Sequence, residues 1–108
     1  MGKFVITRGP SGVFYFNLKA GNGETILTSE HYSTKDKCLE GVASVKRNAA
    51  IDRQYADWTA KDGRLYFVLK GGNQEVIGTS EMYENSSGRE KGKASVKANA
   101  PDAVIEEA

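Results

Sequence analysis

The chain has few of the residues that build covalent or metal-centred sites. Among its 108 residues are one cysteine, Cys38, and one histidine, His31. One thiol excludes an internal disulfide, and one thiol with one imidazole is too small a set for a zinc centre or a thiolate–imidazole nucleophile. We therefore predict no catalytic residue, no metal site and no cofactor, with His31 at the surface near a strand end. A lone cysteine is typical of a reducing compartment, which favours a cytoplasmic protein.

The chain also lacks a long apolar run and a strong net charge. No stretch approaches the length of a membrane-spanning helix, so we expect no membrane partner. The 15 basic and 14 acidic side chains leave a formal charge of +1, which gives no overall attraction to nucleic acid. Hydrophobic residues make up 39% of the chain and charged residues 27%, a balance that predicts a folded globular protein.

What the sequence does contain is an internal repeat. Residues 12–50 align with residues 63–101 without a gap after a shift of 51 positions. A chain of this length has room for one core, so the two copies must share it. We predict a single domain over residues 1–108, made of two repeats at about 1–54 and 55–108.

Each copy opens with strand-like sequence. In the first copy, alternating apolar residues predict strands over 4–7, 13–19 and 24–30. The pair Asn22-Gly23 is a strong hairpin signal, because both residues tolerate positive φ. The second copy repeats this plan at the equivalent positions, although its turn has lost the Asn-Gly pair.

A helix is expected after each hairpin. Ser33 or Thr34 can cap the first helix, which should run to about Asn48, and we expect Asn48 and its counterpart Asn99 to be left-handed caps. A glycine inside the helix costs about 1 kcal/mol against alanine. Its presence in both copies, first at Gly41, therefore indicates close approach of helix and sheet. The second helix has charges where the first has apolar residues, so we predict that it is less buried.

Two further strands complete the pattern. We expect one within residues 51–60, with Tyr55 and Trp58 as packing anchors, and a terminal one near 102–106. The predicted fold is therefore α+β, with two tandem β-β-β-α-β repeats. They share one mostly antiparallel sheet on which both helices pack, about a pseudo-twofold axis.

Three motifs carry a resemblance to a known family. They are Lys19-Ala20-Gly21-Asn22-Gly23-Glu24, Thr28-Ser29-Glu30-His31-Tyr32 and the run from Gly41 to Ala49, with the last two returning at 79–83 and 92–100. Together they resemble the YegP-like family of small bacterial and archaeal proteins, over nearly the whole chain. The resemblance implies one sheet built from tandem repeats, or from a dimer of single-repeat chains, with terminal strands exchanged between units. It implies no established activity, and Gln74 in place of Gly23 leaves the second turn type open.

Polar residues retained in both copies are the candidates for a binding site. The retained pairs are Lys19/Lys70, Glu24/Glu75, Glu30/Glu81, Tyr32/Tyr83, Ser44/Ser95 and Lys46/Lys97. From them we select Lys19, Glu30, Tyr32, Lys46, Lys70, Glu81, Tyr83 and Lys97. A structural role is the competing interpretation, since a carboxylate before a helix favours its dipole and a tyrosine can anchor the strand-to-helix corner.

Three hypotheses of function follow. The first is a non-enzymatic binding or interaction module, with two equivalent Glu/Tyr corners that suit a protein partner or a small ligand. The alternative is nucleic-acid binding through basic helix residues, which are Lys35, Lys37, Lys46, Arg47, Arg89, Lys91, Lys93 and Lys97. The third is an enzyme in which Glu30 and Glu81 form an acid–base pair. Either a monomer or a homodimer is compatible with the sequence.

Overall fold

Residues 2–108 form one seven-stranded sheet with two helices. The computed structural model describes residues 2–108. Its elements are β1 (Lys3–Arg8), β2 (Phe14–Lys19), β3 (Thr25–Ser29), α1 (Lys35–Asn48), β4 (Tyr55–Thr59), β5 (Leu65–Lys70), β6 (Val76–Thr79), α2 (Ser86–Asn99) and β7 (Val104–Glu107). The strand order is β4-β5-β6-β3-β2-β1-β7, and only the contact of β1 with β7 is parallel. The predicted α+β class is confirmed. Within residues 2–108, neither helix is long and apolar enough to cross a membrane.

Both helices pack on one face of the sheet and enclose the core. The fully buried large side chains include Phe4, Phe16 and Phe67 of the strands and Val45 and Val96 of the helices. The first helix buries Cys38, Gly41, Val42, Val45 and Asn48, whereas α2 buries only Gly92 and Val96. The prediction that the second helix is the less buried one is confirmed.

The two repeats join where β3 pairs antiparallel with β6. Thr28 lies opposite Thr79, and Ser29 lies opposite Gly78. Near this pseudo-twofold axis the repeat is broken, because the counterpart of Leu27 is Gly78. A Cβ on Gly78 would lie 2.6 Å from Leu27 Cδ2. One buried leucine therefore fills a space in which two symmetric side chains would clash. The repeat boundary near residue 54 stays a prediction.

The terminal strand is exchanged between the repeats. In sequence β7 belongs to the second repeat, but it pairs with β1 of the first, with Phe4 opposite Ile105 and Ile6 opposite Glu107. The strand expected within residues 51–60 is β4, and it pairs antiparallel with β5 alone. A shift of 51 positions places β1 on β4. This strand therefore closes the first repeat and opens the second, which gives seven strands.

Two local expectations were wrong. Asn48 and Asn99 are not left-handed caps, because each is the last residue of its helix and is followed by an alanine in right-handed conformation. The amide Nδ2 of Asn48 instead donates to the carbonyl oxygen of Ser44, 2.8 Å away, and Asn99 repeats this bond. Trp58 is not a core anchor: its side chain is 41% exposed and makes an edge contact with Tyr66.

The two equivalent hairpin turns share one geometry. Gly23 has a φ of 86°, and Gln74 adopts the same left-handed region with a φ of 66°. In both turns the amide of this residue donates to the carbonyl three residues earlier, at 2.9 Å. A residue with a Cβ pays about 1–2 kcal/mol for this conformation. The second turn therefore keeps its shape at the cost of local strain.

Gln74→Gly is expected to stabilise the protein by about 0.5–1 kcal/mol. The substitution relieves the left-handed strain but loses the bond from Gln74 Nε2 to Gln54 Oε1 at 3.2 Å, which offsets part of the gain. Urea denaturation followed by circular dichroism measures the change. The reciprocal variant, Gly23→Gln, should lose stability, and a gain there would contradict the assignment of strain.

Candidate functional site

The candidate site is built on the two strand-to-helix corners. Tyr32 lies between β3 and α1, and its backbone exchanges two hydrogen bonds with Phe14, at 2.7 and 2.8 Å. Its ring stacks on Phe16 with centroids 6.4 Å apart, while a Cβ on Gly41 would lie 2.7 Å from its Cζ. The glycine in the helix is thus needed for a tyrosine ring that lies between helix and sheet.

The second corner repeats this arrangement. Tyr83 stacks on Phe67 with centroids 6.4 Å apart, and a Cβ on Gly92 would lie 2.6 Å from its Cζ. Its backbone pairs with Leu65 as that of Tyr32 pairs with Phe14. Both tyrosines therefore hold their corners through the ring, with the hydroxyl oxygen next to the helix glycine.

The tyrosine hydroxyls are the polar part of each corner. Within residues 2–108, neither has a protein hydrogen-bond partner. Burial raises the pKa of Tyr32 above its ordinary value, with smaller contributions from Cys38 and Glu30. Burial also raises the pKa of Tyr83, followed by the charges of Glu81 and Glu24. Both hydroxyls therefore stay protonated at neutral pH and can donate as well as accept.

Each corner faces the hairpin of the other repeat across a cleft. The first cleft has a volume of about 640 Å³ and lies between the first corner and the β5–β6 turn. Its walls also include two residues of α1. It is lined by Glu30, Tyr32, Ser44, Arg47, Gly71, Gly72, Asn73, Glu75, Val76 and Ile77.

The second cleft is the pseudo-symmetric counterpart of the first. It has a volume of about 530 Å³ and lies between the second corner and the start of β3, including Glu24 just before that strand. It is lined by Glu24, Thr25, Ile26, Glu81, Met82 and Tyr83. Five of these six residues are counterparts of first-cleft residues after the shift of 51, and Met82 is the counterpart of His31. The fold thus forms one kind of cleft twice, each with walls from both repeats.

The shared chemistry of the clefts is acidic and partly apolar. Each contains two glutamates, one from the corner and one from the opposite hairpin, together with a tyrosine and an isoleucine. The charge of the two clefts differs, because Arg47 lines the first cleft and its counterpart in the second repeat is Ala98. An arrangement of this kind suits a ligand with a positive group on an apolar body.

The sequence-selected residues divide between the clefts and other places. Glu30 with Tyr32, and Glu81 with Tyr83, line the two clefts as paired sets. The four lysines do not line them. Lys46 lies over the Phe4 ring at 5.9 Å and Lys97 over the Tyr55 ring at 5.4 Å, while Lys19 and Lys70 end β2 and β5.

Glu30 and Glu81 do not share a cleft. The antiparallel register of β3 and β6 places them beyond opposite ends of the strand pair. His31 is exposed and lies against the Tyr15 ring, with centroids 5.5 Å apart. Among the residues that the structure describes, no group of three or more histidine, cysteine or acidic side chains is placed to hold a metal ion.

Sequence reasoning missed the opposite walls of the clefts. Glu24 and Glu75 belong to the retained polar pairs, and that retention was a usable signal for them. Arg47 carried no such signal, because its counterpart is an alanine. Nothing local indicates that the turn of one repeat meets the corner of the other, since that contact depends on the β3–β6 pairing.

Comparison with known proteins agrees with the repeat and the fold. The family model described as Domain of unknown function (DUF1508) matches the chain twice, over residues 11–55 and 60–107. UPF0339 protein YegP of Escherichia coli (strain K12) is 44% identical over 106 residues, which covers 98% of this chain and 96% of that protein. The solution NMR structure of yegP from E. coli matches with a TM-score of 0.93 at 44% identity, over 98% of this chain and 91% of that one.

A second solution NMR structure has the same fold. UPF0339 protein SO3888 from Shewanella oneidensis matches with a TM-score of 0.92 at 40% identity, covering 98% of this chain and 90% of that one. None of these descriptions gives an activity or a ligand, and nothing in them supports nucleic-acid binding. The resemblance drawn from the sequence motifs is confirmed. The chain belongs to the DUF1508 family, with the UPF0339 protein YegP among its relatives.

Proposed function

We propose that this protein is a non-enzymatic binding module whose two clefts each accept a basic group on an apolar body. The observation that carries this proposal is a duplicated cleft, formed each time by a corner from one repeat and a hairpin residue and strand from the other. Two pseudo-equivalent clefts suit two copies of one ligand, or a partner that presents two basic side chains.

The lining residues support a basic ligand. Two carboxylates in a partly enclosed cleft attract a cation more strongly than the same groups in open water. The tyrosine ring offers a face for an ammonium or guanidinium group, and Ile77 or Ile26 offers an apolar contact. The tyrosine hydroxyl supplies a hydrogen-bond donor and acceptor whose orientation the ring packing fixes.

The geometry gives less support to the other hypotheses. Four of the eight helix cations proposed to contact nucleic acid are already in ion pairs; they are Lys35, Arg89, Lys93 and Lys97. Glu30 and Glu81, the one motive for acid–base catalysis, line separate clefts. A cytoplasmic location is part of the proposal, and the reduced state expected for the buried thiol of Cys38 favours it.

The test is an NMR titration of the ¹⁵N-labelled protein with small amides. N-acetylarginine amide and N-acetyllysine amide are the basic probes, and N-acetylnorleucine amide is the neutral control. We expect the basic probes to shift resonances of residues 24–32 and 71–83 and to saturate two sites. Glu30→Gln should weaken the first site, and Glu81→Gln the second, each by about tenfold if a charge-assisted bond is lost.

Matched variants separate the clefts from the rest of the surface. Tyr32→Phe and Tyr83→Phe keep the ring packing and remove only the hydroxyl, whereas Tyr66→Phe makes the same change outside both clefts. One-site saturation that is indifferent to Tyr32→Ala and Tyr83→Ala would overturn the proposal. Equal binding of the neutral and basic probes would overturn the assignment of ligand charge.

A further inference from the structure

The two outer edges of the sheet are not equivalent. On one side β7 covers the edge of β1, and the amides of Val104 and Ala108 donate to the carbonyls of Gly2 and Ile6, at 3.3 and 2.9 Å. On the other side β4, the counterpart of β1, ends the sheet, and no strand within residues 2–108 pairs with its outer edge. After the shift of 51, the outward-facing carbonyl of Ile6 corresponds to that of Asp57. The chain thus shows how a strand adds to this kind of edge and leaves one such edge open.

The open edge of β4 lies beside partly buried cations of α2. Lys93 Nζ is 2.6 Å from one carboxylate oxygen of Asp57, and Arg89 Nη2 is 3.5 Å from the other. The side chains of Arg89 and Lys93 are both only 15% exposed. Arg89 Nε is buried and has no hydrogen-bond partner among residues 2–108. Lys93 Nζ also lies 2.9 Å from a carboxylate oxygen of Glu90, so the two cations are matched by two carboxylates. The donor that remains for an added acceptor is Arg89 Nε.

The edge of β1, which β7 covers, shows that the covering strand carries a carboxylate. Glu107 of β7 lies opposite Ile6 and forms an ion pair with Lys35 of α1 at 2.6 Å. In the second repeat the counterpart of Ile6 is Asp57, and that of Lys35 is Ser86. Arg89 lies one helical turn beyond Ser86, on the same side of α2. A carboxylate aligned with Asp57 on an added strand would therefore meet Arg89, whose Nε has no partner among residues 2–108.

We propose that the outer edge of β4 binds an extended acidic segment of a partner protein as an eighth strand. The segment runs parallel to β4, as β7 runs parallel to β1, and carries a carboxylate at the position aligned with Asp57. Backbone hydrogen bonds to the open edge supply the affinity, and the unpartnered Nε of Arg89 supplies the preference for acidic sequence. This inference is independent of the two clefts and does not rest on the function proposed for them.

A second copy of this chain fits the edge less well. Antiparallel pairing of two β4 strands about a twofold axis would bring Asp57 towards its own copy and the cation row of α2 towards the same row. The second Asp57 is already paired with its own Lys93 and Arg89, so it adds like charge without a free acceptor for Arg89 Nε. A carboxylate on an added acidic strand is free to accept from that donor. If a second copy donated its β7 to this edge, the donor would lose its own β1–β7 pairing. One strand pair would form and one would be lost, so the exchange would gain no pairing.

The experiment adds a synthetic peptide with the sequence of residues 101–108 to the ¹⁵N-labelled full chain. We expect resonance shifts at residues 53–59 of β4 and at 89–97 of α2. A peptide with Glu107→Gln should bind several-fold more weakly at low salt, because it lacks the carboxylate aligned with Asp57. The protein itself is unchanged in this comparison, so a folding defect cannot imitate the result.

Two N-methylated peptides test the strand register. The amides of Val104 and Ala108 point to β1 in the chain, and by alternation that of Glu106 does too, whereas that of Ile105 points away. N-methylation at Glu106 should weaken binding about tenfold or more, and N-methylation at Ile105 should not. Equal effects of the two methyl groups, or shifts confined to residues 3–8 of β1, would overturn the proposal. Sedimentation as a dimer without peptide would assign the edge to a second copy and overturn it too.

Discussion

Gly78→Leu is expected to lower the free energy of unfolding by about 3 kcal/mol, because it adds a large side chain to a filled part of the core. The new Cβ alone would lie 2.6 Å from Leu27 Cδ2 and 2.7 Å from Leu27 Cγ. Leu27 is fully buried and cannot move towards solvent. Against a typical total stability of about 5–15 kcal/mol, a loss of this size is readily measured by urea denaturation.

The matched variants are Leu27→Gly and the exchange of both residues. Leu27→Gly should cost about 4 kcal/mol, since it leaves a leucine-sized cavity. In the double variant the leucine moves across the pseudo-twofold axis, so we expect at least half of the summed loss to be recovered. Gly72→Leu serves as a control, because nothing lies within 4 Å of a Cβ built there. Strictly additive losses in the double variant would contradict the shared use of this space.

Deletion of residues 104–108 is expected to cost about 2–4 kcal/mol and to make the protein associate. The deletion removes the parallel partner of β1, with backbone hydrogen bonds worth about 1 kcal/mol each, and uncovers part of the apolar surface around Phe4 and Ile6. An unpaired edge above apolar residues is a template for pairing between chains. Sedimentation velocity and thermal unfolding measure the two effects.

A charge variant separates the strand from its ion pairs. Lys3–Glu106 and Lys35–Glu107 are exposed pairs, and pairs of this kind contribute little to stability. Glu106→Gln with Glu107→Gln should therefore leave the protein monomeric and nearly as stable as the parent. A truncated chain that stays monomeric with unchanged stability would show that β7 is dispensable, against our expectation.

The sequence was sufficient for most of the secondary structure because the repeat doubles each local signal. The helix predicted from Ser33 or Thr34 to about Asn48 is observed from Lys35 to Asn48, with Thr34 as its cap. In β5, Phe67 and Leu69 are fully buried at alternate positions, as the strand pattern predicts, although Val68 between them is fully buried as well. Signals of this kind depend on neighbours in sequence, and the fold did not override them.

What the sequence could not supply depends on contacts between the repeats. Gly41 permits the expected close approach of helix and sheet, since a Cβ there would lie 3.2 Å from Phe16 Cε2 of β2. What the sequence did not indicate is that the Tyr32 side chain at the corner lies even closer to this position. The cleft walls meet only because β3 pairs with β6, and no local pattern specifies that pairing. The side-chain amide of Asn48 donates to the carbonyl oxygen of Ser44, one turn earlier in α1, and the residue stays in helical conformation instead of forming a left-handed cap.

Sequence differences between the two repeats coincide with the difference between the two sheet edges. Where β7 covers β1, the residues beneath are apolar, with Ile6, Cys38 and Val42 all buried. Their counterparts beside the open edge of β4 are charged; they are Asp57, Arg89 and Lys93. The residues beside the covered edge are thus apolar and those beside the open edge are charged, in line with the greater access of water to an uncovered edge.

The pairing of β1 with β7 also affects the order in which the fold can form. Lys3 and Glu106, which form an ion pair across these strands, are separated by 103 positions in sequence. Contacts this distant close a large loop and are formed late, because the chain loses much entropy before it gains them. During synthesis, the apolar surface under β1 stays without its strand until residues 104–107 have left the ribosome. Slow emergence of β7 would therefore prolong exposure of the β1 edge, and with it the period of greatest risk of aggregation.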